Sequence, residues 1–404
     1  MVIATPSISE RSLALLIPAL AFAITLHTSL SYALALLILL LGMWDTHLRQ
    51  RTRTIPSHPI AIAFLLIFAL HAAGLLWTEA YPEGLRILSK QKIYVFAALF
   101  VVFLDKDIAQ KSIVALIAAI FFSEFVSLYW IFYAPERDSS SPFMHHMHYS
   151  LVLCFTAAYL IHLIVPGQRL CAHNLACSAG TLLTVCVMFL NKGRIGLLAL
   201  PVVAVILAVD KFKLAFWRAA VAVLALSACV FTLAYLGSAP FQARIDAAVY
   251  EFTEVLGSGK RDSITCRLEM WQYSLQIVAH EPLLGVGTGD SMPAMANLLG
   301  AEALDALHAH CGLGHRYQLN VHNNFILMLL QFGVVGFAVF LLALWLLLRT
   351  AIAHNNHPMK LLLAVTGIGM LTASPVSIHI KYMFFFTVVL SLLYAAGDTE
   401  KNSD

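Results

Sequence analysis

Charged residues are scarce in this chain. Asp, Glu, Lys and Arg make up only 12% of its 404 residues, whereas 60% are hydrophobic, and the mean hydropathy is +0.82. A soluble domain of this length carries about twice that share of charge. The composition therefore excludes a soluble globular protein. It predicts an all-α polytopic membrane protein whose apolar side chains face lipid and neighbouring helices.

Features of several other protein classes are also missing. The net charge of +3 comes without a basic tail or a block of like charges, which argues against a nucleic-acid partner. The glycine run Gly285–Gly289 has neither a preceding strand nor the Lys-Ser/Thr of a P-loop, so it predicts only a tight turn. No charged segment with a small-residue cleavage site precedes the second apolar stretch, and we expect the chain to begin at or near Met1.

About twelve apolar stretches are present, and crossing the hydrocarbon takes roughly 20 apolar residues. The predicted spans are 12–27, 29–44, 59–77, 92–104, 112–134, 149–165, 174–190, 195–209, 217–237, 321–348, 361–376 and 382–396. They divide the chain into spans 1–9 within 1–237, a large helical loop over 238–320, and spans 10–12 with a short tail over 321–404.

The positions of Lys and Arg predict the orientation, because short cytoplasmic links are enriched in both. With both termini in the cytoplasm, the short cytoplasmic links contain Arg49, Arg51, Arg53, Lys106, Lys111, Arg169, Lys211, Lys213, Arg218, Arg349 and Lys360. The loop over 238–320 then lies outside, which for a bacterial inner-membrane protein is the periplasm.

Seven basic residues oppose this arrangement. On the predicted topology they lie in short external connections or just inside the membrane: Arg86, Lys90, Lys92, Arg137, Lys192, Arg194 and Lys381. Charge at membrane depth is costly and usually faces an internal cavity with a partner. Any one of these side chains could instead extend to the headgroups, as an interfacial anchor at Lys381 would. The set as a whole predicts a site for an anionic ligand such as phosphate or pyrophosphate.

The external loop contains two amphipathic helical patterns. The first has apolar residues every three or four positions and stops at Gly257: Phe241, Ile245, Val249, Phe252 and Leu256. The second follows Asp262-Ser263 and stops before Glu281-Pro282: Ile264, Leu268, Trp271, Leu275 and Val278. Arg267 lies at the edge of the second stripe, beside Trp271. It either reaches over the membrane domain or covers apolar surface with its stem.

Two further residues stand at the predicted membrane boundary. Asn191-Lys192-Gly193-Arg194 is the entire link between two apolar spans, so it predicts a tight external turn that holds a permanently charged guanidinium able to fork onto phosphate. His322 opens the span after the loop and is followed by Asn323. The positive end of a helix dipole disfavours imidazolium, so His322 is either a neutral proton acceptor or a structural residue.

Taken in order, these motifs resemble the O-antigen ligase and polymerase superfamily of bacterial inner membranes. The motifs are a turn arginine between two spans, Arg267-Leu-Glu-Met-Trp271, Pro282-Leu-Leu-Gly-Val-Gly-Thr-Gly289, His322-Asn-Asn-Phe and Gly333-Val-Val-Gly336. They cover roughly 190–340, and the layout of about twelve spans with a late external loop extends the resemblance over most of the chain.

The resemblance implies transfer of a preassembled glycan from undecaprenyl pyrophosphate to an acceptor at the periplasmic face, lipid A-core in the ligase branch. The essential arginines of the family map to Arg194 and Arg267, and its histidine maps to His322. We expect one inverting displacement, without metal, nucleotide or other cofactor, in which the arginines hold the departing charge and the histidine takes a proton. The further candidates for substrate or pyrophosphate binding are Arg86, Lys90, Lys92, Lys192, Lys381 and Asn323.

The chain departs from the family pattern at two positions, and these departures leave the subfamily open. Gly193 stands where a small hydroxyl residue often precedes the arginine, and Gln331 stands where an acid often precedes the glycine pair. An O-antigen polymerase and a ligase that glycosylates a protein are therefore alternatives. A transporter of an anionic lipid is a further alternative, although its mechanism favours repeated halves, which the sequence does not contain.

Histidine and cysteine leave two further points open. His145-His146-Met147-His148 and, separately, the set His308, His310, Cys311 and His315 could supply zinc ligands. The first is a cluster at the membrane edge, and the second lacks paired-ligand spacing, so we expect no metal. Cys266 and Cys311 both lie in the external loop and could form a disulfide in an oxidising periplasm.

Overall fold

The computed structural model describes residues 8–134, 141–165, 167, 171–211, 213–237, 239, 242–243, 245–246, 249–250, 263–311, 314–315 and 318–397. Its longer elements are the helices α1 (Ile8–Ala23), α2 (Thr28–Trp44), α3 (Thr46–Arg51), α4 (Pro59–Ala73), α5 (Tyr81–Phe103), α6 (Lys106–Tyr133), α7 (His146–Leu163), α8 (Ala172–Leu190), α9 (Ile195–Asp210), α10 (Phe216–Gly237), α11 (Ser263–His280), α12 (Ser291–Leu299), α13 (Ala301–Cys311), α14 (Asn324–Ala353), α15 (His357–Thr372) and α16 (Ile380–Gly397). Short 3-10 turns follow α3 and α4, and β1 (Gly314–His315) pairs antiparallel with β2 (Gln318–Leu319).

The prediction of an all-α membrane protein is confirmed, and every predicted span coincides with a helix. Within the described residues, six helices are long and apolar enough to cross a membrane. A bent pair over 28–57, with an angle of 91° at its break, raises that number to seven. The chain is a multi-pass helical membrane protein. A total of twelve spans stays a prediction.

Two element boundaries differ from those predicted. The span predicted over 92–104 is only the second half of α5, because the polar first half from Tyr81 is also helical and carries Arg86, Lys90 and Lys92. His322 precedes its helix rather than opening it, since α14 begins at Asn324 with Asn323 as its cap. The second loop stripe is confirmed as α11, whereas Phe241, Phe252, Leu256 and Gly257 of the first lie outside the described residues, as does Arg137.

The core lies around α16, which packs against α5, α6 and α15. Its side chains from Tyr382 to Leu393 are buried on every face, as expected of a helix surrounded by other helices. By contrast, α10 exposes large apolar residues, among them Trp217, Leu224 and Leu233. Such an outer surface is stable against lipid and not against water.

The helix ends form two separate groups. On one side, which we call the site face, the starts of α2, α7 and α16 border a common cavity, and the turn before α9 packs on the start of α7. On the opposite face, Arg51 pairs with Asp105 at 2.9 Å, and Asp210 pairs with His357 at 2.9 Å and Lys360 at 3.2 Å. The residues predicted to be external and those predicted to be cytoplasmic therefore occupy different ends of the bundle.

Candidate active site

The turn between α8 and α9 is fixed by its own asparagine. The buried Asn191 side chain accepts a hydrogen bond from the backbone N–H of Gly193 at 3.0 Å and donates to Ser141 Oγ at 2.9 Å. Gly193 lies so close to α7 that a Cβ atom there would be 2.2 Å from the carbonyl oxygen of His146. This contact explains why glycine, rather than a hydroxyl residue, precedes the arginine. The next residue, the exposed Arg194, is the N-cap residue of α9.

Helix α11 carries Arg267 to the same end of α7. The Arg267 guanidinium donates from Nη2 to the Met147 sulfur at 3.7 Å, and Cys266 beside it forms a disulfide with Cys311 at a Cα–Cα distance of 5.4 Å. The pairing that the sequence left open is therefore present. One turn along α11, the Trp271 indole N–H donates to the carbonyl of Val321 at 2.9 Å. Helix α11 thus holds both Arg267 and the backbone next to His322.

His322 occupies an unusual backbone conformation. Its φ is 54°, a left-handed value that histidine adopts more often than most residues but that still requires support from its surroundings. The Asn320 side chain gives that support by accepting the His322 backbone N–H at 3.2 Å. The Nδ1 atom of His322 is buried and has no hydrogen-bond partner. The ring therefore has a nitrogen available for a substrate.

The surroundings keep the His322 ring neutral. Burial lowers the pKa of His322 to about 4, with smaller contributions from the positive charge of Arg267 and from His145. Desolvation and nearby cations both disfavour imidazolium. This lowered pKa agrees with the neutral state predicted for His322 at physiological pH. The pKa is lowered by burial and by the charge of Arg267, rather than by a helix dipole alone.

The three predicted catalytic residues converge around the start of α7. His146 lies within electrostatic range of Arg194, Arg267 and Lys192, and His322 lies within range of Arg267 and His145. Three residues that are far apart in sequence, just before α9, on α11 and before α14, therefore lie near one short segment. The arrangement places two guanidinium groups near His146 and the neutral imidazole of His322 near the second of them, Arg267.

The other predicted binding residues are divided among several places. Lys90 and Lys381 line a cavity of about 380 Å³ beside the histidines of α7, and Lys192 lies in the turn with Arg194. The Lys92 ammonium is 4.9 Å from the centre of the Tyr32 ring, a cation–π contact, and Arg86 is exposed on α5. Their roles in binding stay predictions.

Asn323 has a structural role in the fold. Its Oδ1 accepts the backbone N–H groups of Phe325 and Ile326 at 3.0 and 3.1 Å, which caps α14. Its Nδ2 donates to the carbonyl of Leu371 at 3.1 Å. The side-chain amide therefore joins the start of α14 to the end of α15, next to His322.

Four further histidines lie close together in pairs beside the candidate catalytic residues. The ring centres of His145 and His146 are 4.2 Å apart, and those of His148 and His379 are 3.9 Å apart. Among the described residues, no group of three or more His, Cys, Asp and Glu is arranged to hold a metal ion. The side chains of His308, His310 and His315, the second predicted cluster, lie outside those described.

The segment that contains these motifs matches a known family. Residues 179–341 match the family model described as O-antigen ligase, and this segment includes Arg194, Arg267 and His322. The match supports membership in the O-antigen ligase superfamily. No curated protein gives a significant match to it. The match indicates a glycosyltransferase-like membrane protein and confirms the resemblance on which the site residues were chosen.

The glycine run has a packing role that its spacing did not predict. Helix α14 is broken at Gly333 (φ 58°, ψ −166°), and the run fills the break. Val286 and Gly287 donate their backbone N–H groups to the carbonyls of Leu330 and Gln331 at 3.0 and 2.8 Å. In return, Val334 and Val335 donate to the carbonyls of Pro282 and Leu283 at 2.9 and 3.2 Å. The backbone N–H groups of Val286 and Gly287 are therefore used within the fold.

Three polar side chains to which the sequence analysis gave no structural role complete this junction. The buried Gln331 donates from Nε2 to the carbonyl of Thr288 at 3.2 Å, and the Thr288 hydroxyl donates to the carbonyl of His71 at 2.7 Å. Asp290 accepts the backbone N–H groups of Glu79 and Ala80, both at 2.7 Å. The junction fixes the first half of α14, and therefore His322, relative to α4 and α5. The only sequence signal for this junction is that polar residues occupy these positions in an otherwise apolar region.

Proposed function

We propose that this protein is an O-antigen ligase in the strict sense. It transfers O-antigen polysaccharide from undecaprenyl pyrophosphate to lipid A-core in lipopolysaccharide biosynthesis. The reaction takes place at the periplasmic end of a multi-pass protein of the bacterial inner membrane, and both termini are cytoplasmic. The observation that carries the proposal is the convergence of Arg194, Arg267 and His322 around the start of α7 within the segment that matches the family.

The chemistry needs one base and one electrophile. His322 takes the proton from an acceptor sugar hydroxyl, whose oxygen attacks the anomeric carbon as the bond to the pyrophosphate oxygen breaks. The electron pair of that bond leaves with the pyrophosphate, and Arg194 and Arg267 hold the developing negative charge. A single in-line displacement inverts the anomeric configuration. Because the two guanidiniums supply the positive charge, the reaction requires no divalent cation and no nucleotide.

The separation of the helix ends supports the orientation. The opposite face carries Arg51, Lys106, Lys211 and Lys360, in agreement with the enrichment of basic residues on the cytoplasmic side. On the site face, the Cys266–Cys311 disulfide favours an oxidising compartment such as the periplasm. The exposed apolar surface of α10 accounts for membrane lipids as the remaining partners.

A reconstituted transfer assay tests the proposal. Purified protein, undecaprenyl pyrophosphate-linked glycan and lipid A-core are combined in lipid nanodiscs with a chelator, and products are separated by gel and by mass spectrometry. We expect a covalent glycan–lipid A-core product whose new linkage has the opposite anomeric configuration by NMR. Lengthening of the lipid-linked glycan would instead identify a polymerase, and attachment of the glycan to an added protein would identify a protein ligase. Movement of the lipid-linked glycan across a vesicle membrane without a new covalent bond would identify a transporter.

A further inference from the structure

The cavity beside the catalytic residues has the composition of an anion site. It is lined by Lys90 from α5, Lys381 from α16, and the imidazoles of His145, His148 and His379. Among the described residues that line it, none is acidic. Ammonium and imidazole groups gathered at the end of a membrane bundle are stabilised by an anion that they share.

One group in this cavity points directly to a ligand. His148 is only 1% exposed, lines the cavity, and has a buried Nε2 atom without a hydrogen-bond partner. A buried polar atom of this kind requires an explanation, such as a ligand that is bound in the working protein. The volume of about 380 Å³ accommodates a phosphate together with part of the group that carries it.

The position of the cavity relative to the catalytic residues decides which substrate it serves. Arg194 and Lys192 lie within electrostatic range of His146, which does not line the cavity. The cavity is instead next to His322, because Asn320 both lines it and holds the backbone of His322, and because His148 in its wall lies within electrostatic range of His322. An in-line displacement requires the acceptor and the leaving pyrophosphate to approach the anomeric carbon from opposite sides. The leaving group belongs with the arginines, so the acceptor belongs with the base and with the cavity.

We propose that Lys90, Lys381 and His148 form a second phosphate site that binds a phosphate group of the acceptor lipid and thereby presents its hydroxyl to His322. This inference rests on the proposed function and extends it. It assigns two cationic sites to two substrates: Arg194 and Arg267 to the donor pyrophosphate, and the cavity to an acceptor phosphate. The same phosphate chemistry is offered by a membrane phospholipid headgroup, so the test must distinguish these sources.

Steady-state kinetics with two forms of the acceptor provide the test. Wild-type protein, Lys90→Gln and Lys381→Gln are assayed in nanodiscs with lipid A-core and with the same acceptor after chemical dephosphorylation. We expect each variant to raise KM for the phosphorylated acceptor about tenfold or more, the effect of losing one charged hydrogen bond, with KM for the donor unchanged. The wild-type preference for the phosphorylated acceptor should shrink by the same factor in the variants.

The matched control is Lys111→Gln, an exposed lysine near the start of α6 on the opposite face, which should leave both KM values unchanged. Because Lys381 donates to the carbonyl of Phe143, melting temperatures are measured for all variants, and Lys90→Gln carries the test if Lys381→Gln does not fold. A variant that raises only the donor KM would overturn the inference. Equal wild-type rates with both acceptors would overturn it as well.

A binding measurement separates this inference from the proposed function. Native mass spectrometry records how much bisphosphorylated lipid A, dephosphorylated lipid A and phosphatidylglycerol bind to wild-type protein and to Lys90→Gln. We expect selective binding of the phosphorylated lipid A that falls about tenfold or more in the variant, whether or not glycan transfer is observed. Binding of phosphatidylglycerol with equal strength would identify a headgroup site and refute the acceptor assignment. Absence of transfer by a protein that still shows this selectivity would instead count against the proposed function.

Discussion

His322 is the residue on which the proposed chemistry depends most directly. Replacing it with glutamine keeps a polar side chain but removes the base, so we expect kcat to fall by about 10²–10⁴-fold. Transfer by purified protein, with melting temperature as a check on folding, measures the effect. The control is His280→Gln, an exposed histidine at the end of α11, which should retain full activity. Unchanged transfer by His322→Gln would remove the base assignment.

The pKa of His322 also predicts a pH profile. Only the neutral imidazole can accept a proton, so the rate falls as pH decreases through the pKa, which burial and Arg267 lower to about 4. We therefore expect transfer to be nearly constant from about pH 7 to about pH 5 and to decline below that. The measurement is kcat/KM against pH in nanodiscs. A half-maximal rate close to the usual histidine value of about 6.5 would show that another group controls the profile.

The two arginines should not tolerate lysine. Arg194→Lys and Arg267→Lys keep the charge but lose the planar fork that binds phosphate through two hydrogen bonds. We expect kcat/KM for the donor to fall at least about tenfold in each variant, since a charged hydrogen bond contributes about 1.5–3 kcal/mol. Lys213→Arg, a surface substitution before α10, is the control. Wild-type kinetics in both lysine variants would argue against bidentate phosphate contact.

The break in α14 depends on Gly333. A Cβ atom there would be 2.3 Å from the Leu283 carbonyl, and φ is +58°, so Gly333→Ala combines a clash with backbone strain. We expect a loss of at least about 1–3 kcal/mol in the free energy of unfolding. Transfer should also decline, because the junction fixes His322. Thermal unfolding in detergent and the transfer assay measure the two effects.

Gly367→Ala is the matched control for this element. Gly367 lies inside α15, and a Cβ atom there would meet nothing within 4 Å. Because alanine favours a helix by up to about 1 kcal/mol over glycine, this variant should be neutral or slightly more stable. If the two variants unfolded at the same temperature, the fitted junction at Gly333 would not contribute to stability.

The disulfide connects α11, which holds Arg267, to α13. Serine at both Cys266 and Cys311 should lower stability by about 2–4 kcal/mol and reduce transfer, because α11 also holds the chain before His322 through Trp271. Alkylation of unreduced protein followed by mass analysis should show both cysteines protected. Two alkylated cysteines in periplasm-exposed protein would exclude the bond.

The bundle as a whole predicts an orientation, because its two ends carry different groups. Cysteine introduced at Glu79, on the site face, should react with a membrane-impermeant maleimide in intact spheroplasts, whereas cysteine at Lys213 should react only after permeabilisation. Labelling is measured by gel shift, in a parent protein that the maleimide does not label without the introduced cysteine. The reverse pattern would place the candidate site in the cytoplasm and contradict a periplasmic reaction.

The sequence by itself determined the class of protein and the candidate residues. Scarce charge and recurrent apolar stretches specify membrane helices, because each backbone in lipid must satisfy its own hydrogen bonds. A local repeat of three and four residues was enough to place α11. The order of the short motifs also singled out Arg194, Arg267 and His322 as candidates, because the order of motifs along a chain can be recognised without knowing how the chain folds.

Only the tertiary structure decided how these residues meet. Sequence periodicity does not record that Gly193 lies against the His146 carbonyl, that Trp271 holds Val321, or that the glycine run fills the break in α14. Each of these contacts joins segments far apart in the chain, and a glycine or a buried polar residue has no local pattern that names its partner. The neutral state of His322 is decided in the same way, because burial and a guanidinium from another helix set its pKa.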